Sequence, residues 1–292
     1  MEQEGIIVEN KRKRLPAWAC IVLFFIGFFV LLSIFQTILL LILGREWLMS
    51  VGMVNNLVGT LTMTLSAIIT IAILLHWDTR TFMELGFHWK GYGKHFLYGT
   101  LAAVGLYAIG FGTSLASGVV EIVGLQFDLG MLLLSFITFV SVAFMEETVM
   151  RGYILGRLLD TRLNKFVSLF ISATLFAALH LSNPNIDAFS LFNLVLAGLF
   201  LGSTYLYTRN LWFPIALHLF WNWIQGPILG YQVSGLELKN TLLDLHLPEE
   251  SIWNGGTFGF EGSVTCTVLM ILFTIIAIFW GEKRKAIMEI GK

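Results

Sequence analysis

The sequence predicts an all-α, polytopic bundle of membrane helices. Three observations predict it. Of 292 residues, 57% are hydrophobic and 13% charged, whereas soluble domains carry about 25% charged residues. Mean hydropathy is +0.79, and the apolar residues gather in stretches near the ~20 residues that cross a bilayer. Lys and Arg fall on alternate connections between those stretches. A water-soluble catalytic domain is excluded, because no polar segment is long enough to fold into one. A net charge of −1 provides no field that would draw in nucleic acid.

Eight candidate helices follow, over residues 15–43, 48–76, 95–120, 129–149, 166–181, 188–207, 211–229 and 263–280. The first is preceded by Lys11-Arg12-Lys13-Arg14, but its apolar run far exceeds a ~7–15-residue signal core, so it is read as a retained helix. Asn55 and Asn56 lie within the second, where bonding between helices is the ordinary use of such residues. The amphipathic connection 78–94 leads into the third. The fourth ends on two acids. The fifth is the shortest and is expected to tilt or to span incompletely. Between the seventh and eighth lies a polar, glycine-rich connection, 230–262, in which Asn254-Gly255-Gly256 and Gly259 mark turns. Its Leu242, Leu243, Leu245 and Leu247 suggest either a short interfacial piece or a lid. With the N-terminus cytoplasmic, all of the 18 Lys and Arg residues except Arg45 and Lys239 fall on the inner side, so both termini are expected to be cytoplasmic. One membrane domain fills residues 1–292, with its core over 129–229. Cys20 and Cys266 are read as small buried hydrophobes.

The chemistry concentrates in a few ionisable groups. Acids cost roughly 2.5–3.5 kcal/mol each on membrane-insertion scales, so Glu146 and Glu147 at the end of an apolar stretch call for a reason. On a helix Glu147 and Arg151 are one turn apart and can pair, while Glu146 points about 100° away and misses the pair. A free, partly desolvated carboxylate suits a general base; the plainer reading is a hydrated helix end. Phe176 and His180 share one helix face, as do His218 and Asn222. The last two could hold a developing oxyanion or simply bond between helices. His76, His88, His95 and His246 lie at helix ends or in connections and carry no such pattern.

In order, the chain reads E-E-x-x-x-R, F-x-x-x-H and H-x-x-x-N over Glu146 to Asn222. With these motifs it resembles the intramembrane proteases grouped as CaaX prenyl proteases and bacteriocin-processing enzymes (the CPBP or Abi family). Leu85-Gly86-Phe87 and the stretch 255–262 are fainter echoes. The resemblance implies peptide-bond hydrolysis within or at the edge of the bilayer. It implies that Glu146 activates water, His180 helps to bind it, His218 and Asn222 form the oxyanion site, and Glu147 with Arg151 braces the helix or assists the base. No cofactor is required in the preferred reading. Zinc is the alternative, with Glu146, His180 and His218 as its ligands, although no H-E-x-x-H helix is present.

The expected substrates are membrane-associated proteins or peptides, in a cavity built by the fourth to seventh helices and open toward the cytoplasm. The compact chain and short loops look bacterial, which places it in a bacterial cell membrane, where prenylated CaaX proteins are not expected. The rival reading is a non-catalytic immunity or regulatory scaffold; a proton-coupled transporter ranks last, for want of repeats and broken helices. One difficulty stands out. A turn near residue 163 levels Glu146 with His180, but a turn near 210 leaves His218 only about 12 Å deep, so the fourth and fifth helices are expected to project or tilt.

Overall fold

Helices form where the apolar stretches lie. A computed structural model of the chain describes residues 15–50 and 52–290; the basic run 11–14 and Lys292 lie outside the described residues. The long helices are α1 Ala17–Leu43, α2 Met53–Trp77, α3 Gly93–Ala116, α4 Leu129–Leu159, α5 Lys165–Leu179, α6 Ala188–Thr208, α7 Trp212–Trp223 and α8 Val264–Ile290. Six of them, α1 to α4, α6 and α8, are long and apolar enough to cross a membrane. This is an integral membrane protein. The other two are shorter: α5 has 15 residues, about 22 Å of helix, and α7 has 12 before it passes into a wider π-helical turn, Ile224–Ile228, around Pro227.

The second helix starts at Met53 and not at 48, the last runs on to Ile290 past the expected end at 280, and two further departures change the course of the chain. The fourth helix does not stop at residue 149 but continues to Leu159, through a wholly buried π-helical segment, Thr148–Leu155. Glu147 and Arg151 neutralise each other inside the protein, so their charges do not end the helix. The wider π turn alters which carbonyls find helical partners, and Ser172 Oγ donates to the oxygen of Met150 at 3.0 Å. The third helix stops at Ala116, and Gly118 turns the chain with a φ of +70°. Strand β1, Glu121–Leu125, follows and pairs antiparallel with β2, Leu243–His246, in the register Glu121↔His246 to Leu125↔Leu243 with a bulge between. The leucine-rich piece of the 230–262 connection is therefore strand, and Leu243 and Leu245 pack against the core between α3 and α7.

The connections expected on the inner side gather at one end of the bundle. There Arg157 pairs with Asp78, Asp160 receives Arg80 at 2.9 Å and Arg209 at 3.3 Å, and Lys165 meets Glu282. Leu85-Gly86-Phe87 docks at the start of α7: Tyr205 Oη donates to the oxygen of Leu85, Leu211 N to that of Gly86, and Asn210 Nδ2 to that of His88. Gly86 sits at a φ of +116°, and a Cβ there would stand 2.7 Å from the oxygen of Arg209. Gly86→Ala is thus expected to lower stability by about 1–3 kcal/mol, read as an earlier unfolding midpoint in detergent with the same helix content before unfolding.

Candidate active site

Residues from α4, α5 and α7 meet because α7 starts deep. Leu211 and Leu85 both lie against Gly152, so α7 begins beside the middle of the α4 extension and not beside its end. Counting outward from that level, Glu147 lies five residues along α4 and His218 seven along α7, about 8 and 10 Å. This removes the depth difficulty. What aligns the residues is the continuation of α4 past Glu146 together with the recessed start of α7.

Glu147 is the hub, fully buried and off the cavity. Its Oε1 accepts from Arg151 Nη1 at 2.8 Å and from His218 Nδ1 at 2.8 Å. Arg151 also donates to the oxygen of Gly198 at 3.3 Å and lies 4.6 Å over the ring of Phe176. Gly198 permits this, since a Cβ there would stand 2.7 Å from Ala173 Cα and force α5 away from α6. Phe176 also serves a second partner: its carbonyl accepts from Nδ1 of His180 at 2.8 Å, and its ring lies 4.7 Å from the imidazole of His180. Because carboxylates and carbonyls only accept, both histidines commit Nδ1 as donor. That leaves Nε2 of each free.

Glu146 sits beside the hub without joining it. Its Oε2 is buried with no hydrogen-bond partner and stands 3.9 Å from His218 Nε2. Glu146, His180, His218 and Asn222 all line one cavity of about 520 Å³. Asn222 is buried on that wall, and its amide has no partner among the described residues. Of the six residues singled out in the sequence, four reach the cavity, while Glu147 and Arg151 stand behind it. The walls are not confined to α4–α7, because α1 contributes Phe24, Phe25, Phe28 and Phe29, and α2 contributes Thr60 and Met63.

The wall carries a further acid that the motifs do not include. Glu261, just before α8, lines the same cavity. It accepts from Trp221 Nε1 at 3.1 Å, Ser234 N at 2.9 Å and Ser234 Oγ at 2.6 Å. The signal in the sequence is an acid abutting the last apolar stretch, inside a glycine-rich segment already noted as an echo of the family. Among the described residues, no three His, Cys, Asp or Glu side chains are grouped so as to hold a metal ion. The set Glu146, His180 and His218 therefore does not form a ligand cluster in this arrangement.

Residues 128–224 match the family model Rce1-like, described as type II CAAX prenyl endopeptidase Rce1-like. Over that segment, about a third of the chain, the sequence is similar to that family. The match runs from the start of α4 to the end of α7 and so contains all three motifs, as the resemblance implied. No curated protein and no solved structure matches the chain. The Rce1-like segment supports an endopeptidase embedded in a membrane.

Proposed function

We propose that this protein is an intramembrane endopeptidase that hydrolyses peptide bonds of membrane-associated proteins or peptides, with Glu146 as the base that activates water. The observation that carries this reading is the shared cavity: Glu146, His180, His218 and Asn222 line it together, and the unpartnered oxygen of Glu146 faces His218. Water held by Glu146 and by the free Nε2 of His180 gives a proton to Glu146 as its oxygen attacks the carbonyl carbon. The carbonyl oxygen takes the negative charge. Glu146 then returns the proton to the leaving amine as the C–N bond breaks.

His218 and Asn222 would stabilise the oxyanion. Since His218 spends Nδ1 on Glu147, its Nε2 can donate only as an imidazolium. Two carboxylates, one guanidinium and one imidazolium sum to zero charge in a desolvated site, and when Glu146 takes up the water's proton the oxyanion assumes its charge. The reading is metal-free. The basic end of the bundle (Arg80, Arg157, Lys165 and Arg209) would face the cytoplasm, in what we take to be a bacterial cell membrane.

The test is a comparison of new peptide N-termini in membranes holding the wild type and membranes holding a His218→Ala, Asn222→Ala double variant. Cleavages confined to the wild type support the reading; identical sets of termini reject it. Each single variant is expected to lower kcat about 10²–10³-fold with KM nearly unchanged.

A further inference from the structure

Several exposed residues of the cavity lining lie on connections at the end of the bundle opposite to the basic residues. Toward the basic end the cavity wall holds Phe24, Val149 and Met150, all buried. The exposed lining residues are elsewhere. Phe29 is 53% exposed, Leu179 44% and Leu236 54%, and Ser182 is exposed as well. Leu179 and Ser182 flank the α5–α6 turn, and Leu236 lies in the 230–262 connection. Both features lie far from Asp160, Arg162 and Arg209. The short α5 produces the opening: it rises only about 22 Å, so the α5–α6 turn sits recessed beside the much longer α1 and α4. Helix α1 packs along α2 and α5 along α6, which leaves a cleft between α1 and α5 near this level, walled by Phe29 and Leu179.

We propose that substrate enters from the outer half of the bilayer, through the cleft between α1 and α5, as an apolar peptide segment free of acidic residues. A basic end marks the cytoplasmic side, and this mouth lies away from it, the reverse of the cytoplasmic opening expected from the sequence. The chemistry of the wall selects the occupant. The phenylalanines of α1 accept apolar side chains, and Asn183 and Ser234 offer hydrogen bonds to an extended backbone. The wall carries Glu146 and Glu261, and among the described residues no Lys or Arg lines it; the His218 imidazolium at the reaction centre is matched by Glu146 and Glu147, so an acidic segment meets net repulsion. The substrate class rests on the endopeptidase reading; the position of the mouth does not.

The experiment uses the full chain in intact cells. Native Cys20 and Cys266 are buried and serve as a silent background. Ser182→Cys is expected to react with a membrane-impermeant maleimide before permeabilisation, and Arg162→Cys, at the basic end, only after it. Labelling of Ser182→Cys only after permeabilisation, or in neither state, overturns the outer mouth. The second arm adds a quenched fluorescent peptide with an uncharged apolar segment to right-side-out vesicles. Cleavage is expected there, with loss on maleimide modification of Ser182→Cys and a tenfold or greater drop when two Asp residues enter the segment. Labelling from outside with cleavage untouched by modification would mean that the cleft holds only lipid chains, and would overturn the substrate route. If the peptide is uncut in both vesicle orientations, the endopeptidase reading fails, and the labelling arm alone decides where the mouth lies.

Discussion

Glu146→Gln is expected to lower peptide cleavage by about 10²–10⁴-fold, the contribution typical of a positioned general base, while leaving the protein as stable as the wild type. Both halves of this result follow from how Glu146 is held. Its side chain makes no ion pair within 3.5 Å, its Oε2 has no hydrogen-bond partner, and it retains 21% of its surface. A neutral amide of the same shape therefore breaks no hydrogen bond, and because the side chain keeps part of its surface in contact with solvent, the lost attraction to His218 is screened and the change in stability is small. What it removes is the proton acceptor. The check is a pair of measurements on one preparation: turnover of a membrane peptide, and the unfolding midpoint in detergent. Turnover within a factor of three of the wild type, with the fold intact, would remove Glu146 from the mechanism.

Much of this site was legible before any coordinates. The i, i+4 spacing placed Glu147 with Arg151 and left Glu146 out, and the ion pair at 2.8 Å is as that spacing requires. The same spacing put His218 and Asn222 on one face, and both line the cavity. Other features depended on groups that sequence spacing does not encode. The contact between Glu147 and His218 joins helices 71 residues apart. It reassigns His218 from a simple neutral donor to an imidazole whose outer nitrogen donates only when protonated. The end of α4 was misplaced because paired charges inside a protein look, in sequence, like charges at a membrane surface. Strand β1 was missed because Glu121–Leu125 has no partner nearer than Leu243–His246, and a two-stranded pairing leaves little periodic trace over so few residues. The short length of α5 was visible, but its consequence, a recessed turn that opens the cavity outward, required the positions of α1 and α4.

The adjacent acid should behave in the opposite way. Arg151→Met is expected to destabilise the protein by about 3–5 kcal/mol, because it leaves the Glu147 carboxylate buried without its main counter-charge. Glu147 and Arg151 expose 0% and 1% of their side chains, so water cannot take over the lost contact. Arg151→Lys should fall between the two. An ammonium can still meet the Glu147 carboxylate, but it cannot at the same time reach the Gly198 carbonyl and lie flat on the Phe176 ring as the guanidinium does. Adding Glu147→Gln to Arg151→Met removes the orphaned charge, so the double variant should recover a large part of the loss. A double-mutant cycle of unfolding free energies in mixed micelles isolates this coupling. Activity should not recover with stability. With Gln at 147, His218 loses the carboxylate that accepts from its Nδ1–H, so the refolded double variant should turn over slowly even where it is fully folded. Additive effects of the two substitutions on stability would show that the pair is not the brace of this site. Full activity in the double variant would detach His218 from Glu147 in the chemistry.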